Sequence, residues 1–283
     1  MGQKANPTSL RPRDNFYQGC AYWDEAQFNY ITYAAHKLLK GCCRKTDIYL
    51  NNINIGLYHD FILLEAELLH LHSNAKRKRR SRRYKENSKS YIKKNTKKSW
   101  RTVLRRLFFS MSLLQNYTGL KKIKLKIRRI KAYSRSIPKR ARQKTSFYTK
   151  GFNKAKFNYA RSGMQLMSHV VQEKASVLSL ASFIRENIRT RSRRKKHVHF
   201  LSFLKRGFES LKSHKKIKGL KIQIKGRFGH KPKGRSRIWK YQMGPMPFSQ
   251  LEAPIQTKYV QAQTILGSVG IKVWIYHNSQ DQC

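Results

Sequence analysis

Two stretches near the carboxyl end alternate apolar and polar residues one by one, and this period restricts what the chain can fold into. The first stretch spans residues 217–226 and the second spans 270–276. Strict period-two alternation predicts a strand with one buried face and one wet face. The inward positions are Leu220, Ile222, Ile224, Ile271, Val273 and Ile275.

The segment between these stretches predicts a hairpin. Residues 226–235 combine turn-forming glycine and proline with cations, and 237–241 reads as the returning strand. The turn would carry positive charge toward a partner. We therefore expect a small sheet with an apolar back and a basic, aromatic front.

The charge of the chain requires a polyanionic partner. The 283 residues include 63 Lys and Arg against 13 Asp and Glu, which gives a net charge of +50. Such an excess repels itself unless a polyanion is near, and the 12% aromatic content argues against plain disorder. Nucleic acid and an anionic membrane both qualify. No apolar run reaches the ~18 residues of a membrane-spanning helix, so nucleic acid is favoured.

The cysteines and the amino terminus indicate a reducing compartment without an import signal. Cys20, Cys42, Cys43 and Cys283 fit neither a zinc pair nor a disulfide framework, so we expect free thiols. Residues 1–7 lack the apolar core of a signal peptide and the amphipathic helix of a transit peptide. We expect no targeting segment.

The first part of the chain predicts an arm and a small domain. Residues 1–23 form an extended, proline-broken arm, and 24–130 form the domain. Apolar spacing predicts helices over 24–39, 60–72 and 100–114, a strand–bend–strand over 47–56, and a strand over 120–130. Within this domain, 75–98 holds thirteen cations and one acid. We expect this insertion to be solvated and to order on a polyanion.

The second part of the chain predicts a linker and another domain. Residues 131–166 are basic without a clear period and read as a linker, and 167–283 form the second domain. Helices are expected over 177–188 and 201–211, and another over 259–266 before the last strand. The fold class is therefore α+β, with helices packed on a small mixed or antiparallel sheet.

Catalytic residues are not evident. Asp24 with Glu25, and Glu65 with Glu67, are the closest acid pairs, and neighbours on a predicted helix do not face each other. The His70–His72 and His197–His199 motifs have no Cys or acid at metal-ligand spacing. No phosphate-binding GxxxxGK[ST] loop is present. We expect no enzyme activity, no metal, no cofactor and no small-molecule substrate.

Cations interleaved with aromatic rings instead indicate RNA binding, with Arg and Lys on phosphate and rings on bases. The rings are Phe228, Trp239, Tyr241 and Tyr276. The GxxG at 226–229 matches the backbone clamp of KH modules, although a hairpin turn is the stronger interpretation because it follows a strand. The predicted RNA-binding residues are Gln3, Lys4, Asn6, Arg11, Lys76, Arg77, Arg79, Arg80, Arg82, Arg83, Arg185, Arg189, Arg227, Lys231, Lys233, Arg235, Arg237 and Lys240.

Three segments resemble the universal small-subunit ribosomal protein S3 family. Residues 2–7 (GQKANP) resemble its opening GQK-x-NP arm, and 218–227 (KGLKIQIKGR) resemble its KGIKV-x-V-x-GR strand and turn. Residues 268–276 (SVGIKVWIY) resemble its closing IGVKVWIF strand. The matches occur in the right order and include both ends of the chain.

The resemblance implies a type II KH domain followed by an α/β domain. It implies a place on the head of the small subunit where messenger RNA enters, with small-subunit ribosomal RNA, messenger and neighbouring head proteins as partners and no membrane. Lys205 and Arg206 fall on a family pair of cations that touches messenger, while Ser202-Phe203 replaces the preceding Arg-Arg pair. Only Gly56 remains near the place of the KH clamp, so this KH-like domain is degenerate.

The lost clamp, the basic insertion and the Lys, Asn, Ile, Tyr and Phe bias resemble organelle-encoded mitochondrial members. The expected location is the mitochondrial matrix, with a chloroplast or a bacterial cytoplasm as the alternative. An organellar intron maturase or homing nuclease is the competing function, and it requires a metal-binding carboxylate pair. A cationic membrane-surface protein is a third class.

Overall fold

The computed structural model describes residues 25–43, 48–58, 61–71, 85–118, 122–131, 159–191, 197–227 and 235–278, with a few isolated positions outside these ranges. The chain divides into two compact units. Residues 20–132 form one unit, and residues 133–283 belong to the other.

The unit of residues 20–132 is a three-stranded sheet with two described helices. Its elements are α1 (Glu25–Cys42), β1 (Ile48–Leu57), β2 (Phe61–His70), α2 (Lys85–Thr118) and β3 (Lys122–Lys131). The sheet order is β1-β2-β3. Strands β1 and β2 are antiparallel, whereas β2 and β3 are parallel with α2 between them in the sequence. A parallel pair requires such a crossover.

The core of this unit lies between one face of the sheet and the helices. Ile62 and Leu64 of β2 are fully buried, and they pack with Ile31 and Ala35 of α1 and Leu114 of α2. Burying a side chain of this size contributes roughly 1.5–3 kcal/mol. This packing fixes which face of the sheet is left open.

Three predictions for this unit need correction. Residues 61–70 form strand β2, not a helix. This strand lies between β1 and β3, and every second side chain up to Leu68 is buried. The bend predicted within 47–56 is a register shift between Leu50 and Asn52 in one continuous strand. Helix α2 begins at Lys85, so the predicted solvated insertion 75–98 is helical over its second half. The predicted helix 100–114 and strand 120–130 are confirmed.

The second unit packs three helices on one face of an antiparallel sheet. Its elements are α3 (Tyr159–Val171), α4 (Val177–Arg191), α5 (His197–Leu211), a short 3-10 turn (Lys212–His214), β4 (Gly219–Gly226), β5 (Arg237–Met243), β6 (Ile255–Thr264) and β7 (Gly267–Tyr276). The sheet order is β5-β4-β7-β6. All neighbouring strands are antiparallel.

The alternation in the sequence predicts the buried face of this sheet correctly. The six inward positions of β4 and β7 all have 0% exposure, and α4 contacts both β6 and β7. The helix predicted over 259–266 is wrong. Residues 255–264 are strand β6, which pairs with β7 through a turn at Gly267, whose φ of +113° favours glycine.

Helix α3 begins inside the segment assigned to the linker. Tyr159 is buried and packs edge-on against Phe200 and Phe203 of α5, with ring centroids 5.2 and 5.1 Å away. At Gly163 an added Cβ would stand 2.8 Å from the Phe203 ring. Aromatic packing therefore places Tyr159 and Gly163 in the core, although the sequence around them shows no clear period.

The side chain of Glu173, in the loop between α3 and α4, contacts the residues that follow β7. Glu173 adopts a left-handed backbone with φ of +61°. Its Oε1 lies 3.3 Å from His277 Nδ1 and accepts a hydrogen bond from the backbone N–H of Asn278 at 3.0 Å. Burial raises the pKa of Glu173, but the hydrogen bonds from His277 and Asn278 outweigh it and leave the pKa below its ordinary value.

The α+β class is confirmed, since two small sheets each carry helices. No helix in the described part of the chain combines the length and apolarity needed to cross a membrane.

Cys42 and Cys43 are free, buried thiols, and burial raises the pKa of Cys43 to about 12. Cys20 and Cys283 lie outside the described residues.

Candidate nucleic-acid interface

The open face of the C-terminal sheet carries lysines and aromatic rings. Side chains directly opposite one another in paired strands project to the same face. Lys221 of β4 stands opposite Trp274 of β7, which stands opposite Thr257 of β6. We call this surface the lysine–aromatic face. Its lysines are Lys221, Lys225, Lys240 and Lys272, and its rings are Tyr259, Trp274, Tyr276 and Phe248 from the neighbouring loop.

Two rows of this face can be followed across the strands. Lys240 and Lys272 lie on either side of Gln223, about 10 Å apart by strand spacing, and Tyr259 continues the row on β6. The row containing Lys221 and Trp274 lies about 7 Å along the strands. Cations and rings thus alternate in two dimensions.

Short contacts between lysines and rings order the face. Lys221 Nζ lies 4.8 Å from the Phe248 ring centroid and 5.8 Å from that of Trp274. The two rings meet edge to face at 6.0 Å. Lys272 Nζ lies 5.9 Å from the Tyr259 centroid. Each exposed cation–π contact contributes about 0.5–1 kcal/mol, which orients the ammonium without neutralising it.

This arrangement suits a nucleic-acid strand. The ammonium groups remain available to phosphate oxygens, while the rings offer apolar surface to bases or riboses. No Asp or Glu stands opposite another residue in the described pairing of this sheet. The alternating pattern predicts a basic, aromatic front, but Lys221, Lys225 and Lys272 are not among the RNA-binding residues predicted from the sequence. The alternation that predicts β4 and β7 also carries this signal.

Strand β5 divides the predicted residues between two faces. Lys240 lies on the lysine–aromatic face, opposite Gln223. Trp239 and Tyr241 face the helices instead, which corrects their assignment to the basic front. Tyr241 is buried and stacks on Phe208 with centroids 5.9 Å apart. Burial, with a smaller effect from nearby Glu209, raises the pKa of Tyr241 to about 12.

The other described candidates lie away from this face or at its end. Lys205 and Arg206 are exposed on α5, and Lys205 Nζ lies 4.0 Å from Glu209 Oε1. On α4, Arg189 is exposed and Arg185 is half-buried. Arg227 is half-buried at the end of β4, whereas Arg235 and Arg237 are exposed before and within β5. The pairing of Gly226 with Arg237 makes the GxxG segment part of a hairpin connection.

Many predicted RNA-binding residues lie outside the described residues. They are Gln3, Lys4, Asn6, Arg11, Lys76, Arg77, Arg79, Arg80, Arg82, Arg83, Lys231 and Lys233. Phe228 and Asp24 also lie outside them.

The acid pair Glu65 and Glu67 lies on β2, so the helical argument that separates their side chains is wrong: residues two apart on a strand share a face. Both carboxylates are engaged by cations of β3, which lowers their value as metal ligands. Glu65 accepts a hydrogen bond from Lys126 at 2.7 Å, and this contact lowers the pKa of Glu65. Glu67 accepts one from Arg128 at 3.4 Å.

The histidine motifs are bound to protein groups. Arg129 donates to Nδ1 of His70 at 2.9 Å, and His197 Nε2 lies 3.1 Å from the carbonyl oxygen of Ile188. Within the described ranges, no three His, Cys, Asp or Glu side chains come together where they could hold a metal ion.

Comparison with known proteins identifies the sheet-bearing region. Residues 191–275 match the family described as ribosomal protein S3, C-terminal domain. This range includes α5, strands β4 to β6, β7 up to Ile275, and all of the lysine–aromatic face except Tyr276. Over these residues the chain is therefore similar to the C-terminal domain of the ribosomal protein S3 family.

Individual relatives agree with this family. The chain is 31% identical over 115 residues to the small ribosomal subunit protein uS3 of Clostridium botulinum (strain Alaska E43 / Type E3), which covers 41% of this chain and 49% of the relative. It is 38% identical over 109 residues to uS3 of Anaplasma phagocytophilum (strain HZ), covering 38% of this chain and 48% of the relative.

A third relative is the small ribosomal subunit protein uS3c of Tetradesmus obliquus, 41% identical over 81 residues, or 29% of this chain and 11% of the relative. The chain thus spans at most about half the length of these relatives.

Proposed function

We propose that this chain is a structural, RNA-binding component of the small ribosomal subunit. One observation carries the proposal: the S3 family match over 191–275 falls on the sheet that presents the lysine–aromatic face. The net charge of +50 supplies the driving force, because bound Lys and Arg release counterions from phosphate. The chain acts by neutralising and positioning folded RNA, not by catalysis.

The lysine–aromatic face is the proposed contact with small-subunit ribosomal RNA. Its lysines hold phosphates, and its exposed rings, such as Tyr259 at 57%, cover bases or riboses. The predicted cations near this sheet, Arg227, Arg235 and Arg237, extend the contact along its hairpin end. Lys231 and Lys233 of the connecting loop are proposed to join them.

The messenger contact is a finer proposal and uses a different surface. Lys205 and Arg206 are exposed side by side on α5, on the face of the helix that does not pack on α3 or the sheet. We place this pair beside incoming messenger RNA, with neighbouring proteins of the subunit head around it. Ser202 and Phe203 replace the second basic pair of the family, so the proposed contact rests on Lys205 and Arg206.

We also propose that this ribosome is mitochondrial. The support is the basic insertion 75–98 and the Lys, Asn, Ile, Tyr and Phe bias. Gly56, predicted as the remnant of the KH clamp, lies in strand β1 opposite Leu63 and therefore adds no support. Bacterial proteins and a chloroplast protein are among the relatives, so those two compartments are the alternatives. The N-terminal unit is proposed to be a degenerate KH-like domain on the basis of the family resemblance. Its described order α-β-β-α-β has one helix fewer than the helix-strand-strand-helix-helix-strand order that a type II KH domain implies.

Co-sedimentation tests the function directly. The full-length protein is mixed with small subunits depleted of their own S3 relative and is centrifuged through a gradient at moderate salt. We expect it to enter the small-subunit peak and to leave the large-subunit peak empty. Protein that stays at the top of the gradient, or binds both subunits equally, would contradict the proposal.

Two further assays separate the competing classes. Robust magnesium-dependent cleavage of cognate intron DNA would favour a homing nuclease. Binding to anionic vesicles that survives competitor RNA would favour a membrane-surface protein. The proposal expects neither.

A further inference from the structure

An exposed row of apolar side chains lies on the two helices of the N-terminal unit. It consists of Tyr30 and Tyr33 of α1 and Phe109, Leu113 and Tyr117 of α2, and we call it the aromatic strip. Their exposures are 49%, 64%, 68%, 39% and 68%, respectively.

The strip follows the seam between the two helices. Phe109, Leu113 and Tyr117 are spaced by four residues, so they form one line on the flank of α2, about 12 Å long. At one end the Tyr117 ring stacks on Tyr30, with centroids 5.8 Å apart. Farther along the same seam, Cys42 Sγ lies 3.5 Å from Ser110 Oγ. The two helices therefore run antiparallel, and the strip lies on the exposed side of this helix pair.

The size of the strip argues for a partner. Five side chains of these sizes and exposures present on the order of 500 Å² to solvent. That area equals the largest apolar patches of ordinary monomers, and such patches are often binding sites. The helices do not need these residues for their own packing, since Ile31, Ala35 and Leu114 supply the core contact.

The chemistry of the strip favours a protein over RNA. Leu113, at its centre, is aliphatic and offers no ring for a base to stack on. Tyr30 and Tyr117 already turn their faces toward each other. Exposed Ser112 and Asn116 lie beside the strip on α2. On the lysine–aromatic face, lysines and rings alternate within the same rows, which is the pattern expected for nucleic acid. On the strip, the described cations flank the row and do not alternate with its side chains.

Charge beside the strip indicates which kind of protein it fits. Exposed Arg105 lies one turn before Phe109, and exposed Lys37 places its Nζ 5.6 Å from the Tyr33 ring. These flanking cations, in a chain of +50 charge, complement acidic residues on a partner. We propose that the aromatic strip docks an amphipathic α-helix of another protein, with the apolar side of that helix against the strip and its acidic residues beside Arg105 and Lys37.

Fluorescence anisotropy on the full-length protein tests this docking. The probe is a labelled amphipathic helical peptide with leucines at i, i+3, i+4 and i+7 and glutamates on both sides. A peptide of the same composition, scrambled so that the leucines no longer share a face, controls for charge. A labelled oligouridylate reports RNA binding in parallel.

Phe109→Ser combined with Leu113→Ser removes the middle of the strip. Phe108→Ser is the matched control, because Phe108 is 78% exposed on the same helix but lies off the four-residue line. We expect the double variant to weaken the patterned peptide by about tenfold or more and the control to leave its affinity unchanged. Oligouridylate binding should be the same for all three proteins.

A second pair keeps the test independent of the apolar changes. Lys37→Glu with Arg105→Glu leaves the strip intact and should weaken the acidic peptide while sparing the fold, which circular dichroism checks. Three results would overturn the inference: equal binding of the patterned and scrambled peptides, wild-type peptide affinity in the double variant, or a loss of oligouridylate binding as large as the loss of peptide binding. The last result would make the strip an RNA surface.

Discussion

Neutralising the lysine–aromatic face should reduce the salt dependence of RNA binding by a calculable amount. The perturbation is replacement of Lys221, Lys225, Lys240 and Lys272 by glutamine, which retains much of each side chain and removes four positive charges. All four residues lie on strands with one face packed against the helices, and none of their side chains belongs to that packed face. The fold should persist.

The magnitude follows from counterion release. Each neutralised phosphate contributes about −0.7 to −0.9 to the slope of log affinity against log salt, so four lysines on four phosphates contribute about −3. Between 50 and 200 mM salt, the wild-type protein should therefore lose about 50-fold more affinity than the variant. The difference should be largest at low salt and should shrink as salt rises.

The assay is a salt titration of binding to a fragment of small-subunit RNA, followed by filter binding or anisotropy. A control variant removes the same number of charges elsewhere in the unit, by replacing Lys174, Lys212, Lys216 and Lys258 with glutamine. These lysines are exposed but do not belong to the lysine–aromatic face. A shared response to global charge would change both variants equally.

Equal slopes for the two variants would refute the reasoning, because they would show that the RNA responds to net charge and not to this face. A face variant with the wild-type slope would refute it as well. A smaller slope in the face variant alone would identify these four lysines as phosphate contacts.

Three further predictions concern packing, messenger and pH. Gly163→Ala should destabilise the protein by about 1–2 kcal/mol, because overpacking against the Phe203 ring outweighs the gain in helix propensity. Gly41→Ala is the control: its new Cβ would have nothing within 4 Å, so this change should be neutral or stabilising by up to about 1 kcal/mol. Urea unfolding measures the free energy of unfolding of both variants. Lys205→Ala with Arg206→Ala should leave assembly intact and slow translation through structured messenger, and failure to join the subunit would show that the pair has another role. The pKa of Glu173 in the folded protein lies below its unfolded value near 4.5. The contribution of Glu173 to stability is therefore complete above pH 4.5 and is lost as the pH falls through the folded pKa. Glu173→Gln should make the free energy of unfolding less dependent on pH in this acid range, and an unchanged dependence would contradict the proposed role of Glu173.

Local patterns in the sequence were sufficient where one face of an element is buried and the other is wet. Strands β4 and β7 alternate so regularly that their inward residues were identified from the sequence, and all of them are buried. The helices α4 and α5 followed from their apolar stripes in the same way. The same alternation predicts a basic, aromatic front, but Trp239 and Tyr241, predicted to bind RNA, lie on the packed face opposite Ile224 and Ile222.

The apolar pattern predicts the wrong secondary structure where a segment fits both the helical and the strand period, or neither of them. Residues 61–70 have leucines at helical spacing together with helix-favouring Glu and Ala, yet they form the central strand between β1 and β3. Residues 255–264 are largely polar, and they become strand β6 because β7 offers a full row of backbone partners. Glu65 and Glu67 are predicted on a helix, but they lie on one face of strand β2 because residues 61–70 pair with β1 and β3.

The sequence by itself determined the charge, the need for a polyanion, the alternation of the last domain and the motifs shared with the S3 family, because each of these is local or additive along the chain. Only the tertiary structure decided which lysines stand beside which rings, since Lys221, Phe248 and Trp274 come together only when β4, β7 and the loop before β6 meet. It also decided that Tyr30 and Tyr117 form one surface, because two helices distant in sequence must pack before their flanks can join.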